Sequence, residues 1–134
     1  ERRHNLFNDS DDISMKIAIK AGVVIKEVNR PFIDVCLTLW RVCSDYGEPA
    51  TISVGCEGKH GVGSYHGRGL AWDIRTRDMA DSEKVFVALK RELREIHSAF
   101  DVVDETKTVD ENGVPQPHIH VEYDLKRAGG TIYG

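Results

Sequence analysis

Residues 64–73 read SYHGRGLAWD, which places His66 and Asp73 at the two ends of a glycine-containing segment that leads into an apolar strand. Imidazole nitrogen and carboxylate oxygen are both good zinc ligands, and six intervening residues can fold back to bring both side chains to one ion. Further along, residues 117–122 read PHIHVE. In a strand His118 and His120 point to the same face, so this pair offers a third ligand.

Three protein ligands leave a fourth coordination position for water, which is typical of catalytic rather than structural zinc. A zinc ion bound in this way makes its water acidic and polarises a carbonyl group. A peptidase also needs a base that takes the proton of the water and passes it to the leaving amine. The pattern therefore predicts metal-assisted hydrolysis.

The run Ser-x-His-x-x-Gly-x-Ala-x-Asp, followed downstream by His-x-His, resembles the zinc D-alanyl-D-alanine carboxypeptidase family. That family includes L-alanyl-D-glutamate endopeptidases of phages, vancomycin-resistance D,D-dipeptidases and the hedgehog signalling domain. The resemblance covers residues 51–123, and every position of the first run is filled. It implies a hedgehog-like fold, a Zn²⁺ cofactor, and the ligands His66, Asp73 and His120.

The family places an acidic base just before the last ligand. Some members have it three residues ahead, where this chain has Pro117. The better match is a carboxylate that ends the preceding strand, which points to Glu105. Asp104 is the alternative, because neighbouring strand residues face opposite sides and the register is open. By the same likeness His118 is a catalytic residue that stabilises the tetrahedral intermediate or moves a proton.

Substrate contacts are also implied by the resemblance. Ser64 matches a position that contacts substrate near the metal. Relatives usually hold a substrate carboxylate with an Arg in the loop after the first strand, but this loop has none. Lys59, Arg68 or Arg75 could replace it, and Glu122 could orient a metal-bound imidazole.

Hydrophobic periodicity and capping residues predict the order helix, strand, strand, helix, strand, strand. This order indicates an α+β domain over residues 15–134, with helices packed on one mainly antiparallel sheet. Residues 1–14 are expected to form a flexible tail, and Met15 is a conceivable natural start. The predicted elements are helices at residues 29–46 and from Asp78 or Asp81 to 98, strands at 51–54, 70–74, 100–103 and 118–123, and a hairpin turn at 111–113.

The chain has 134 residues, 40% of them hydrophobic, and a net charge of −4. These values suit a single monomeric domain and disfavour a nucleic-acid partner. No apolar run is long enough for a membrane helix. The three cysteines are expected to be buried free thiols.

The function expected from these observations is hydrolysis of a bond in the stem peptide of peptidoglycan, of the D-Ala-D-Ala carboxypeptidase or L-Ala-D-Glu endopeptidase type. The compact size resembles phage lysis or tail-associated peptidases (endolysins), made in the bacterial cytoplasm and acting at the cell wall. One alternative is a non-catalytic, hedgehog-like zinc module that binds a partner or the wall. Another is a zinc-binding fold with an unrelated small substrate.

Overall fold

The computed structural model describes residues 16–58, 60 and 63–134, so the predicted tail at residues 1–14 and the candidate Lys59 lie outside the described residues. Over these described residues the fold is α+β, with two helices and a five-stranded sheet. Along the chain the elements are β1 (Ala18–Ile19), α1 (Arg30–Tyr46), β2 (Thr51–Val54), β3 (Ala71–Arg75), α2 (Ser82–Ile96), β4 (Phe100–Glu105) and β5 (His118–Tyr123).

The sheet has the strand order β1-β2-β3-β5-β4. The pairs β2–β3, β3–β5 and β5–β4 are antiparallel, while β1 runs parallel to β2. The sheet is therefore mixed, which refines the prediction of a mainly antiparallel sheet. Strand β1 was not predicted from the sequence, because it has only two residues and both are exposed, so it lacks an alternating pattern.

Helix α1 begins where the sequence predicts. The side chain of Asn29 accepts a hydrogen bond from the backbone N–H of Phe32 at 2.8 Å and so satisfies one of the free donors of the first turn. Pro31 fits that turn because it has no N–H to satisfy. The helix ends at Gly47, whose φ of 70° suits glycine and whose N–H caps the last carbonyls.

Helix α2 begins after Asp81, which accepts from the N–H of Lys84, so Asp81 rather than Asp78 is the cap. Its apolar stripe and that of α1 pack into one core with one face of the sheet. Trp72 at the centre of this core is 1% exposed and contacts the ring of Phe32. Truncating such a buried aromatic side chain to Ala costs about 3–5 kcal/mol.

Strand β5 shows how the sheet separates core from site. Its burial alternates: Ile119, Val121 and Tyr123 are fully buried, whereas His118 and His120 are half-buried on the other face. In β3, Trp72 and Ile74 belong to the core, while Asp73 between them lies opposite His120 and is also buried. The opposite face therefore carries the polar residues, and no helix covers it among the described residues.

Two further predictions concern cysteines and membranes. Cys36 and Cys43 are buried free thiols, as predicted, and burial raises their pKa values to about 11 and about 12 respectively. Cys56 is also free but only half-buried.

Neither helix in the described part of the chain has the length and apolarity that crossing a bilayer requires.

Candidate metal centre and catalytic groups

The three predicted ligands come together on the polar face of the sheet. Asp73 is the central residue of β3, and His120 of β5 lies directly opposite it in the strand register. His66 comes from the loop before β3. One ligand atom from each residue can be chosen so that all three lie within 4.8 Å of one another. The cluster could therefore hold a metal ion.

The loop that carries His66 is fixed by its own backbone. The N–H of Gly69 donates to the carbonyl of His66 at 3.0 Å, and the N–H of Leu70 donates to that of Tyr65 at 2.9 Å. Gly69 has a φ of 74°, and a Cβ there would lie 2.9 Å from the Cβ of Lys26. Glycine is needed at this position because both the backbone conformation and the close approach exclude a side chain.

Hydrogen bonds select the ring nitrogens that face the metal position. Nδ1 of His66 donates to the carbonyl of Gly55 at 3.0 Å, which leaves Nε2 facing Asp73 at 3.3 Å. Nε2 of His120 contacts the carboxylate of Glu122 at 2.8 Å, and its Nδ1 lies 3.0 Å from Asp73 Oδ1. Partners of this kind orient metal-binding imidazoles and set which nitrogen is free.

Asp73 is the electrostatic centre of the group. Burial on its own raises the pKa of this carboxyl. Hydrogen bonds from His120 and His66, together with the nearby charge of His118, outweigh the effect of burial and hold the pKa of Asp73 well below its usual range. Burial likewise opposes the charge on His120, whereas Asp73 and Glu122 raise its pKa to about 9. The metal-free site therefore holds a carboxylate beside the cationic ring of His120, and a metal ion would displace a proton from that ring.

The distances suit a small divalent ion. Tetrahedral zinc with bonds of about 2.0–2.1 Å separates its ligand atoms by about 3.4 Å. The separations from Asp73 Oδ1 to the two imidazole nitrogens, 3.3 Å and 3.0 Å, are already close to that spacing. Two neutral imidazoles and one carboxylate are also a ligand set common at zinc, so the residues fit the group that the sequence predicts.

The strand register places the two candidate bases on opposite faces. Glu105 pairs with His118 on the face of the cluster, whereas Asp104 pairs with the core residue Ile119. Asp104 accepts hydrogen bonds from the N–H and hydroxyl of Thr106, which lower its pKa despite slight burial. Of the two acids, Glu105 is therefore the one that lies beside the cluster.

His118 joins Glu105 to the cluster. Its Nε2 is 2.9 Å from Glu105 Oε1 and 3.7 Å from Asp73 Oδ2, and its Nδ1 lies 2.7 Å from the carbonyl oxygen of Gln116. Both ring nitrogens thus face acceptors. A ring N–H donor at this place can stabilise negative charge that develops next to the metal position.

The residues predicted to contact substrate do not all lie beside the metal cluster. Arg68 lies over the ring of Tyr65 and lines a separate groove with Lys126, of about 710 Å³, rather than the cleft beside the cluster. Ser64 forms the turn that carries His66, and its carbonyl accepts from the N–H of Arg68. Arg75 does line the cleft that Asp73 and His118 share.

Several supporting residues were not predicted as site residues. The ring of His60 stacks on that of His66 with centroids 5.4 Å apart. The carboxylate of Glu57 accepts from the N–H groups of Val24 and Gly55. Burial slightly opposes its charge, but these donors and the nearby His66 lower its pKa. A Cβ on Gly55 would lie 2.2 Å from the carbonyl oxygen of Val24, so only glycine allows this contact.

The fold and the site define an α+β protein with a His–Asp–His group that could hold a metal ion. Comparison with protein-family models gave no match, and neither did comparison with curated proteins or with solved structures.

Proposed function

We propose that this chain is a zinc-dependent peptidase of the D-alanyl-D-alanine carboxypeptidase and L-alanyl-D-glutamate endopeptidase type, with a hedgehog-like fold, and that it cuts a peptide bond in peptidoglycan stem peptides. The observation that best supports the proposal is the convergence of His66, Asp73 and His120, with the Glu105–His118 pair beside them on the same sheet face. The sequence resemblance supplies the substrate class.

Zinc, when bound, supplies an acidic water and polarises the scissile carbonyl. The chain's own residues would bind the ion and orient its ligands. His66 offers Nε2 because Gly55 holds its Nδ1, and His120 offers Nδ1 because Glu122 holds its Nε2. Asp73 supplies the negative charge that balances the cation. Each imidazole ligand is thereby oriented by a neighbour within the described chain.

Glu105 is the proposed general base. Its side chain is 37% exposed and lies at the end of β4, where water and substrate can reach it. It takes the proton of the attacking water and passes it to the leaving amine, which departs neutral. His118, held between Glu105 and Asp73, stabilises the tetrahedral intermediate or moves a proton, the two roles that the resemblance implies.

Metal analysis together with peptidoglycan digestion tests this function. We expect about one zinc per chain, and a cut at a stem-peptide bond mapped by mass analysis of the fragments. His66→Ala and Asp73→Ala should lose both zinc and activity while keeping the far-ultraviolet circular dichroism of the wild type. His97→Gln removes a histidine outside the cluster and should retain both. Substantial activity in either ligand variant would overturn the ligand assignment.

The non-catalytic zinc module has one observation in its favour, which is that the carboxylate of Glu105 is already engaged by His118. A wild-type protein with stoichiometric zinc that cuts none of the common wall chemistries would support the module. A wild-type protein that cleaves and a Glu105→Gln variant that binds zinc without cleaving would support the peptidase.

A further inference from the structure

Glu57 lies in the loop after β2 and contacts the segment that precedes α1. One oxygen of its carboxylate, Oε1, accepts hydrogen bonds from the N–H of Gly55 at 2.8 Å and from that of Val24 at 3.0 Å. The carbonyl of Gly55 in turn accepts from Nδ1 of His66 at 3.0 Å. We propose that Glu57 is a positioning residue for the candidate metal centre, which acts through Gly55 to keep Nε2 of His66 free for the ion.

The peptide group between Gly55 and Cys56 is held on both sides. Its carbonyl accepts from His66, and its N–H, which belongs to Cys56, donates to the carbonyl of Val24 at 2.8 Å. The N–H of Val24 donates to Glu57. The carboxylate of Glu57 and the two backbone groups of Val24 therefore close a ring of hydrogen bonds, and this ring fixes the direction of the Gly55 carbonyl.

A carboxylate suits this position for two reasons. Val24 and Gly55 both lie outside the strands, so their N–H groups have no place in a strand ladder. A single carboxylate oxygen has two lone pairs and can accept from both donors, and its charge strengthens both bonds. The side chain of Glu57 thereby ties together two segments that are about thirty residues apart in the sequence.

Glu57 also supports His66 by a second route. Its main-chain carbonyl accepts from Nε2 of His60 at 2.6 Å. The ring of His60 stacks on that of His66, with the centroids 5.4 Å apart and the planes inclined by 16°. The side chain of Glu57 thus acts on one edge of the His66 ring and its main chain on one face. Substitution of the side chain tests the first route alone.

The position of the proton on His66 decides whether the ring can bind an ion. A carbonyl oxygen can only accept, so Gly55 selects the neutral ring that carries its proton on Nδ1. Nε2 then presents a lone pair toward Asp73 Oδ1, 3.3 Å away. If the Gly55 carbonyl turned away, Asp73 would favour a proton on Nε2, where the ion must bind. The inference rests on the proposed function in taking His66 as a zinc ligand.

The proton position can be measured without metal or substrate. The metal-free full chain, labelled with ¹⁵N at histidine, is studied at a pH where the ring ¹⁵N shifts show a neutral His66 ring, which His66→Gln assigns. We expect the wild type to carry this proton on Nδ1. Glu57→Ala should move a measurable share of it to Nε2 and lower zinc affinity about tenfold, as expected for a lost outer partner of a metal ligand. Chelator competition measures the affinity.

Matched variants separate the hydrogen bonds from charge and from stability. Glu57→Gln keeps an oxygen that can accept both N–H groups, so it should retain the proton position and zinc affinity of the wild type. Glu57→Asp keeps the charge but withdraws the oxygens by one methylene group, so it should act like Glu57→Ala and replaces it if that variant does not fold. Asp81→Ala removes the cap of α2, which lowers stability away from these hydrogen bonds, and should change neither quantity.

Four results would overturn the positioning role. They are a wild type with its His66 proton on Nε2, a folded Glu57→Ala variant whose proton stays on Nδ1, a Glu57→Gln variant that shifts as far as Glu57→Ala, and an Asp81→Ala variant that loses equal zinc affinity. The third would assign the effect to charge and the fourth to stability. The expected proton shifts in a protein that binds no zinc would support the hydrogen-bond chain and contradict the proposed function, so the two failures are distinguishable.

Discussion

Glu105 and His118 lie directly opposite each other on β4 and β5, and their side chains meet with 2.9 Å between Oε1 and Nε2. The sheet register alone produces this pairing, and it excludes Asp104 from the same face. A carboxylate and an imidazole held together beside a metal position can share the proton that peptide hydrolysis must move. The pairing is therefore the basis of the first prediction.

Glu105→Gln removes the proposed base but keeps its size and one hydrogen-bonding oxygen. We expect hydrolysis of stem peptides to fall by about 10²–10⁴-fold, the usual contribution of a general base, with zinc content unchanged. Asp104→Asn, on the opposite face, should leave the rate within a factor of about two or three. Equal losses in the two variants would argue against a specific role for Glu105.

Glu122→Gln tests whether the carboxylate beside His120 Nε2 supports metal binding. An amide is a weaker partner for the imidazole N–H than a carboxylate, so we expect zinc affinity to fall by about 10–100-fold. Competition with a chromophoric chelator measures the change. Asp101→Asn is the matched control, because Asp101 is paired with Glu122 across the sheet. Its substitution should change the affinity much less than Glu122→Gln.

The raised pKa of His120 predicts how the metal-free protein responds to pH. The folded-state pKa is about 9, whereas the ordinary value is about 6.5. Stabilisation by the charged ring is complete below about pH 6.5 and disappears as the pH rises through about 9. Urea unfolding of the metal-free protein should therefore show decreasing stability over this interval. His120→Gln should remove most of that dependence.

Zinc binding should show the opposite trend with pH. His120 must lose its Nδ1 proton to bind the ion, so affinity should increase from about pH 6.5 toward pH 9. Calorimetry in buffers of different ionisation enthalpy should detect release of about one proton per zinc near pH 7. Binding without proton release would mean that His120 is not a ligand.

Asn29 links the first helix to the loop that carries His66. Its Oδ1 caps α1 through the N–H of Phe32, and its Nδ2 donates to the carbonyl of Gly69 at 3.1 Å. Asn29→Ala should lower the free energy of unfolding by about 1–2 kcal/mol, measured by urea denaturation. Asn29→Asp keeps the cap but loses the bond to Gly69, so it separates the two contributions.

The helices could be predicted closely because their ends carry local signals. Asn29 and Gly47 occupy the capping positions that the sequence predicts, and Asp81 is one of the two caps that the sequence offered for α2. The strands of the site were predicted from apolar alternation, and the metal group from its residue types and the family resemblance. All three predicted ligands do lie together, in a group that could hold a metal ion.

What could not be predicted depends on contacts between distant segments. The choice between Glu105 and Asp104 required the register of β4 against β5. Arg75 was a candidate from the sequence, but the position of Lys20 in the cleft lined by Asp73 and His118 was not predicted. Lys20 follows β1, which pairs in parallel with β2, and a two-residue exposed strand leaves no pattern in the sequence. Single-sequence periodicity describes one segment at a time and carries no information about such pairings.

The alternation along β5 has a consequence for how the protein must assemble. A shift of one residue in the pairing of β5 would send Ile119 and Val121 to the polar face and push His118 and His120 into the apolar core. Such a chain would lose its core and its ligands together. Under the proposed function, zinc uptake would therefore report correct strand alignment, because the three proposed ligands share one face only in this register.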